Sequence, residues 1–340
     1  MNGRSTTTSY PFIYYRLIAI WVLCEAMLGG IIHGFKIPIS GLVVGSCAVI
    51  CISLIAWYVP VKGAILKATL IVAIFKMMLS PQAPPPAFIA VFFQGLLGEL
   101  LFWKRKHYRL SCGLLAVLAL VESAIQRILV VTILYGTDFW TAVNGAINRL
   151  TGQQQLTDYS YYIMIWYIIF HIMTGVAVGV WAGFLPERIR LMKGLQKQYT
   201  VTGTAVSSLQ LPLQSKKKKL RIFLFIIWMG LIGLYVQSFF KIGKPWLPQH
   251  ISLRILIRSV IIVLTWYFLL SPLLKQLLHK WLQQKKQQSM RHIQPVLNLL
   301  PATQRLIRQS WQLAADRKGL KRVILCCKII LANTFYTADA

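Results

Sequence analysis

The sequence predicts an all-α integral membrane protein, with a six-span helical bundle followed by two further spans and amphipathic cytoplasmic helices. Two features of the composition predict this class. Of the 340 residues, 56% are hydrophobic and only 13% are charged, against ~25% in an average globular chain. The mean hydropathy is +0.60. Because a water-soluble chain of this length needs more polar surface, the apolar runs are expected to face lipid.

Eight apolar segments come close to the ~20 residues that a helix needs to cross a bilayer. They are Phe12–Ile32, Ile37–Tyr58, Gly63–Leu79, Pro86–Trp103, Leu110–Tyr135, Tyr161–Leu185, Ile222–Phe240 and Ile255–Leu274. The first follows a polar N-terminus without an A-x-A-like cleavage site, so it is predicted to be a span and not a cleaved signal peptide. The third is short and contains Lys67 and Lys76.

Basic residues cluster between or after the apolar segments. The chain has 37 Lys and Arg against 8 Asp and Glu, for a formal net charge of +29. The positive-inside rule places the basic clusters at 104–109, at 188–219 and beyond 275 in the cytoplasm. Both termini are then cytoplasmic, in a multi-pass protein of the cell membrane. This distribution favours anionic lipid at the cytoplasmic face, and no nucleic acid, as the partner of these charges.

The polar, irregular stretch 199–215 is predicted to be a linker between two domains. Residues 1–198 form the six-span membrane domain, and residues 216–340 form a two-span domain with basic cytoplasmic helices. In the tail, apolar residues recur at near-helical spacing, which predicts one amphipathic helix or two helices broken near Pro301. Such a helix can lie on an anionic membrane, dock on a partner or pack on its own domain, and the sequence leaves these roles open.

Ionisable side chains inside the apolar segments are the candidates for a binding site, because each costs ~3 kcal/mol at the centre of a membrane helix. With their neutral neighbours, the candidate solute-binding residues are Glu25, Lys76, Gln94, Glu122, Gln126, Arg127 and His171. One hypothesis is an outward-facing polar pocket for a small polar or anionic solute. The alternative is internal pairing, of Lys67 with Glu99 and of Glu122 or Glu25 with Arg127, which would hold the bundle and bind nothing.

A stripe of glycines marks the sixth segment. Gly175, Gly179 and Gly183 are spaced four residues apart, which lets two helices approach closely. The partner is either another helix of the same bundle or a second membrane subunit.

Recognisable catalytic motifs are absent from the sequence. There is no G-x-x-x-x-G-K-[ST], so the chain does not hydrolyse ATP by a P-loop mechanism, and there is no H-E-x-x-H, G-x-S-x-G or GxGxxG. The six cysteines have no zinc-like spacing and are interpreted as small hydrophobic residues. No catalytic residue, metal site or cofactor is therefore predicted.

The first domain resembles the substrate-binding (S) components of energy-coupling factor (ECF) transporters, on the stretches Leu42–Ile55, Lys62–Ala68 and Phe93–Phe102. The last third is similar to a shortened transmembrane (T) coupling component. In the stretch 300–319, Ala315, Arg317 and Gly319 stand where that family carries an Ala-Arg-Gly-like motif that docks on ATPases.

This resemblance implies a six-span domain that binds a small, vitamin-like solute from outside. It also implies C-terminal helices that couple this domain to separate ABC-type ATPase subunits. Two other functions stay open: a non-transporting membrane scaffold, and a membrane enzyme acting on a lipid or isoprenoid with Glu25, Glu122 and His171 as acid–base groups.

Overall fold

The computed structural model describes most of the chain. The described residues are 9–28, 40–80, 83, 86–104, 106–151, 158–192, 194, 198–199, 225–226, 228–233, 251–265, 268–269 and 271–335. Within them the chain is helical apart from short turns and contains no β-strand. The all-α class predicted from the sequence is therefore confirmed for these residues.

The helices follow one another in a simple order. They are α1 Ser9–Leu23, α2 Ser40–Tyr58, α3 Ala64–Leu79, α4 Pro86–Leu101, α5 Tyr108–Tyr135, α6 Thr137–Thr151, α7 Tyr159–Leu191, α8 Ile251–Thr265, α9 Ser271–Leu313 and α10 Gly319–Phe335. A π-helical turn, Cys24–Leu28, continues α1.

Three helices, α2, α5 and α7, are long and apolar enough to cross a membrane, and α4 is a shorter apolar helix. They correspond to four of the predicted spans. The seventh predicted span, Ile222–Phe240, falls largely outside the described residues. The division into six spans plus two stays a prediction, as does the cytoplasmic placement of the termini.

One segment differs from the sequence prediction, and for the tail the structure decides between the two alternatives that the sequence left open. The loop expected between Tyr135 and Tyr161 contains the amphipathic helix α6. The tail forms one continuous helix, α9, which passes through both Pro295 and Pro301. Each proline removes one backbone hydrogen bond, which costs a helix ~3 kcal/mol. The packing of this half of α9, described below, helps to offset that cost.

Contacts divide the chain into two compact units that do not follow its linear order. Unit 1 comprises Met1–Ser123, His171–Leu211 and Lys285–Ala340, and unit 2 comprises Ala124–Phe170 and Pro212–Gln284. The C-terminal helices thus belong to the same unit as the first helices. The predicted linker 199–215 lies, apart from Tyr199, outside the described residues, and the division of the chain into two domains at this linker stays a prediction.

The core of unit 1 combines the first helices with α9. Trp21, Ile52 and Phe75, from α1, α2 and α3, are fully buried. Val296 and Leu300 belong to the same apolar cluster. Of the roles left open for the tail, packing on the chain's own helices is the one that these contacts show.

Small residues allow α5 and α7 to pack closely within unit 1. A Cβ on Gly175 would lie 2.8 Å from the Cα of Val117, and a Cβ on Gly179 would lie 2.6 Å from the Cα of Gly113. A Cβ on Gly183 would lie 3.4 Å from the Cα of Arg109, which is in the same helix α5. Close packing within the bundle is therefore what this stripe does in unit 1, and a role in docking a second subunit stays a prediction.

The last turn of α10 is held at the middle of α1. The Arg16 guanidinium donates hydrogen bonds to the carbonyl oxygens of Asn333 (3.1 Å) and Thr334 (3.0 Å). The rings of Tyr58 and Phe335 pack beside them with centroids 4.5 Å apart. Helix C-terminal carbonyls lack partners within the helix, so Arg16 satisfies two of them and fixes α10 to the first helices.

Candidate functional site

A buried ion pair joins α1 to α3. Lys76 Nζ lies 2.7 Å from Glu25 Oε2, and the two side chains are only 7% and 3% exposed. Lys76 Nζ also donates to the carbonyl oxygen of Ala87 at 2.9 Å, and it lies 5.8 Å from the centre of the Phe88 ring. One cation thus connects three helical segments of unit 1.

Local geometry places each charge. Glu25 is the second residue of the π-helical turn Cys24–Leu28, where the chain holds one more residue per turn than an α-helix does. Lys76 is in the last turn of α3, near the negative end of the helix dipole, which favours a cation. Just beyond it, Ser80 Oγ donates to the carbonyl oxygen of Ala26 at 3.2 Å, so the two helix ends are tied together beside the pair.

An ion pair in this position is energetically demanding. Removing two charges from water costs several kcal/mol per ion, and their attraction offsets this cost only with good geometry and further hydrogen bonds. The 2.7 Å separation and the second acceptor on Ala87 meet both conditions. π-Helical turns are frequent at functional sites, which makes this buried pair the candidate site of unit 1.

Gln94 adds an acceptor inside the same unit. Its side chain is 3% exposed, and its Oε1 has no hydrogen-bond partner among the described residues. Gln94 is seven residues from Ala87 along α4, so it lies two turns, or ~10 Å, from the carbonyl that Lys76 contacts. The small residue Gly45 of α2 faces it: a Cβ there would lie 3.6 Å from Gln94 Nε2.

The other predicted solute-binding residues are divided between the two units. His171 is 1% exposed and belongs to unit 1, as does the partly buried Glu122. Gln126 and Arg127 belong to unit 2, where Gln126 is partly buried and Arg127 is exposed. Of the predicted set, the hydrogen bonds and ion pairs given above bring together Glu25 and Lys76.

The internal pairs predicted from the sequence are corrected for Glu25 and Glu99. Glu25 has Lys76 as its partner. Glu99 Oε1 accepts a hydrogen bond from the backbone N–H of Gly63 at 2.6 Å, while Lys67 is exposed. No Lys67–Glu99 ion pair is present in the described residues.

The residues predicted to dock a partner lie at the surface of unit 1. Ala315, Arg317 and Gly319 are all exposed, in and just after the turn between α9 and α10. Gly319 has a φ of +57°, a left-handed conformation that glycine adopts without strain. The loop that would carry the docking motif is therefore accessible.

A hollow of about 400 Å³ lies beside this turn. It is lined by Tyr199, Asp316, Arg317, Lys321, Ile324, Leu325 and Lys328. The sequence did not predict it, because the lining residues come from a turn, one face of α10 and a residue more than a hundred positions earlier. No group of three His, Cys, Asp or Glu side chains suited to a metal ion occurs among the residues that the structure describes.

Comparison with known proteins finds no matching family model, no similar curated protein and no similar solved structure.

Proposed function

We propose that this chain is the membrane component of an ECF-type solute-uptake system. The six-span part binds a small polar solute within unit 1, at the level of Glu25 and Lys76. The C-terminal helices couple it to separate ATPase subunits, with Ala315, Arg317 and Gly319 as the docking motif. The resemblance to S and T components, described above, supplies this division of labour.

The observation that carries the proposal is the buried pair of Lys76 and Glu25. Together they offer a solute one cation and one anion at a single point of unit 1. Gln94 offers a further acceptor on α4, whose Oε1 has no partner among the described residues. Unsatisfied buried acceptors are costly and rare, and a bound donor group would remove this cost.

Binding requires that the ion pair open. A solute with a carboxylate or phosphate would compete with Glu25 for Lys76, and a solute donor group would then satisfy the released carboxylate. The exchange gives Lys76 a new counter-anion and gives the Glu25 carboxylate a new hydrogen-bond donor, so neither charge is left buried without a partner. Because the chain has no P-loop motif, the energy for transport would come from the ATPase partners, through movement of the binding helices against the coupling part.

The experiment is an affinity purification from native membranes in a mild detergent, read by mass spectrometry for proteins and small molecules. The proposal predicts a small polar metabolite and ABC-type ATPase subunits in the eluate. The double variant Glu25→Gln with Lys76→Met, which leaves no lone charge buried, is expected to lose the metabolite and keep the ATPases. An intact wild-type protein that brings neither would contradict the proposal.

A second candidate function is a non-transporting membrane subunit that scaffolds a partner. The observation in its favour is that Lys76 and Glu25 already satisfy each other, with Ala87 as a second acceptor for the lysine. In this function the pair is a clasp between helices. A variant with the two charges exchanged would then keep every activity of the wild-type protein, whereas an oriented solute site would lose binding.

A further inference from the structure

The hollow beside the α9–α10 turn has the composition of an anion site. Arg317, Lys321 and Lys328 line it together with one acidic residue, Asp316, which leaves a formal charge of +2. No carboxylate of the described residues lies within 4.0 Å of any of these three cations. Their charge is therefore available to a ligand.

One face of α10 supplies most of the lining. Lys321, Ile324, Leu325 and Lys328 are spaced i, i+3, i+4 and i+7, which puts all four on one side of the helix. A lysine stands at each end of this face, and two aliphatic side chains lie between them. Ile324 is 47% exposed, so apolar surface is open to solvent or lipid next to the cations.

Tyr199, which also lines the hollow, is anchored to the same helix. Asn333 Nδ2 donates a hydrogen bond to the carbonyl oxygen of Tyr199 at 2.9 Å. Asn333 is itself at the end of α10 that Arg16 holds. Tyr199 and α10, which both line the hollow, are thus held to each other and to α1 by hydrogen bonds.

We infer that this hollow binds the phosphate group of an anionic phospholipid. This function is separate from the ATPase docking proposed for the same turn. Lys and Arg side chains bind phosphate oxygens by charge-assisted hydrogen bonds. A free phosphate would make no apolar contact with Ile324 and Leu325. A phospholipid carries acyl chains next to its headgroup, and these chains can pack on the two aliphatic side chains. The combination of two lysines flanking an aliphatic pair favours the lipid as the source of the phosphate.

The test is native mass spectrometry of the full-length chain in mild detergent, titrated with mixed micelles of phosphatidylglycerol and phosphatidylcholine. The variant is Lys321→Gln with Lys328→Gln. We expect its affinity for phosphatidylglycerol at one site to be about 30-fold weaker, because each lysine beside an anionic headgroup contributes ~1 kcal/mol and the variant removes two. Arg317 stays unchanged in this variant, so the proposed ATPase docking is not disturbed.

Three controls make the result specific. Lys62→Gln with Lys67→Gln removes the same charge elsewhere and should bind as the wild type does. Lys321→Arg with Lys328→Arg keeps the charge and should retain the lipid, which shows that loss in the glutamine variant is not misfolding. Inorganic phosphate at millimolar concentration should not displace the lipid.

Each control also has an outcome that contradicts the inference. Equal lipid binding by the glutamine variant and the wild type would overturn it, and so would equal loss in both glutamine variants. Loss of the lipid in a folded arginine variant would overturn the charge-based site. Displacement by inorganic phosphate would replace the lipid by a soluble phosphate as the ligand. None of these readings depends on whether a transported solute exists.

Discussion

Lys76 Nζ lies 2.7 Å from Glu25 Oε2 inside unit 1, although 51 residues separate the two in the chain. The lysine ends α3, and the glutamate is in the π-helical turn that continues α1. Their contact therefore depends on how the helices pack. It is the feature on which both the stability of this region and the proposed solute site depend.

Lys76→Met is expected to destabilise the protein strongly. It leaves the Glu25 carboxylate buried without its cation, which typically costs ~3–5 kcal/mol. The measurement is the thermal unfolding midpoint in detergent. Replacing both residues, with Glu25→Gln and Lys76→Met together, should recover part of the loss because no lone charge then remains buried.

The exposed pair Arg109–Glu187 provides the matched control. Its atoms are also 2.7 Å apart, but its side chains are 57% and 58% exposed. Arg109→Met should change stability by only ~0.2–1 kcal/mol. Equal midpoints for Lys76→Met and Arg109→Met would contradict the burial of the first pair.

Gly179→Ala should separate α5 from α7. The new Cβ would lie 2.6 Å from the Cα of Gly113, and backbone atoms cannot move aside as a flexible side chain can. Overpacking of this kind costs ~1–3 kcal/mol. The same substitution at the facing glycine, Gly113→Ala, is the control, because a Cβ there would have no atom within 4 Å. If unfolding in detergent shows the two variants to be equally stable, the helices do not cross at this point.

The Glu99→Lys variant is expected to fold poorly, and adding Lys67→Glu, which exchanges the two charges, should not correct this defect. Glu99→Lys removes the acceptor of the Gly63 N–H, and adding Lys67→Glu puts a carboxylate at an exposed position that cannot replace it. Glu99→Gln, which keeps an acceptor oxygen, should be the mildest of the three. The readout is the fraction of monodisperse protein in size-exclusion chromatography. If the exchanged variant recovered the wild-type fraction of monodisperse protein, the ion pair between Lys67 and Glu99 would be supported after all.

Arg16→Gln should release the end of α10. The guanidinium holds the carbonyl oxygens of Asn333 and Thr334, and the shorter neutral side chain cannot reach both. Limited proteolysis, followed by mass spectrometry, should show faster cleavage near the C-terminus than in the wild type. Lys67→Gln removes an exposed cation and should leave the cleavage rate unchanged. An unchanged rate in both variants would mean that Arg16 does not secure this helix.

Hydropathy predicted the long apolar helices well, because α2, α5 and α7 each contain a long stretch whose mean hydropathy stays high despite single polar residues such as Glu122 and His171. It did not predict α6, whose residues Asp138, Asn144 and Asn148 break the run that a span would need; only its amphipathic spacing could have shown it. For α9 the sequence left two alternatives open, one helix or two helices broken near Pro301. Pro301 predicts a break locally, whereas burial of Val296 and Leu300 in the core of unit 1 holds the helix together.

The sequence predicted which residues are candidates for the site, but not which of them contact one another. Composition identified Glu25, Lys76 and Gln94 as polar residues in apolar segments, where they are costly and therefore notable. Which cation pairs with which carboxylate depends on helix packing, so the sequence proposed Arg127 for Glu25 and Lys67 for Glu99. The glycine stripe had two interpretations for the same reason; its contacts with α5 show the packing within the bundle, and docking of a second subunit stays a prediction.

The most direct measurement uses the exchanged variant, Glu25→Lys with Lys76→Glu. The metabolites that co-purify with it in mild detergent are compared with those of the wild type, after both are shown to be monodisperse and equally stable. A solute oriented by Lys76 and Glu25 predicts that the folded variant has lost the small polar metabolite bound by the wild type. Retention of the same metabolite at the same occupancy would contradict the solute site and leave the pair as a clasp between helices.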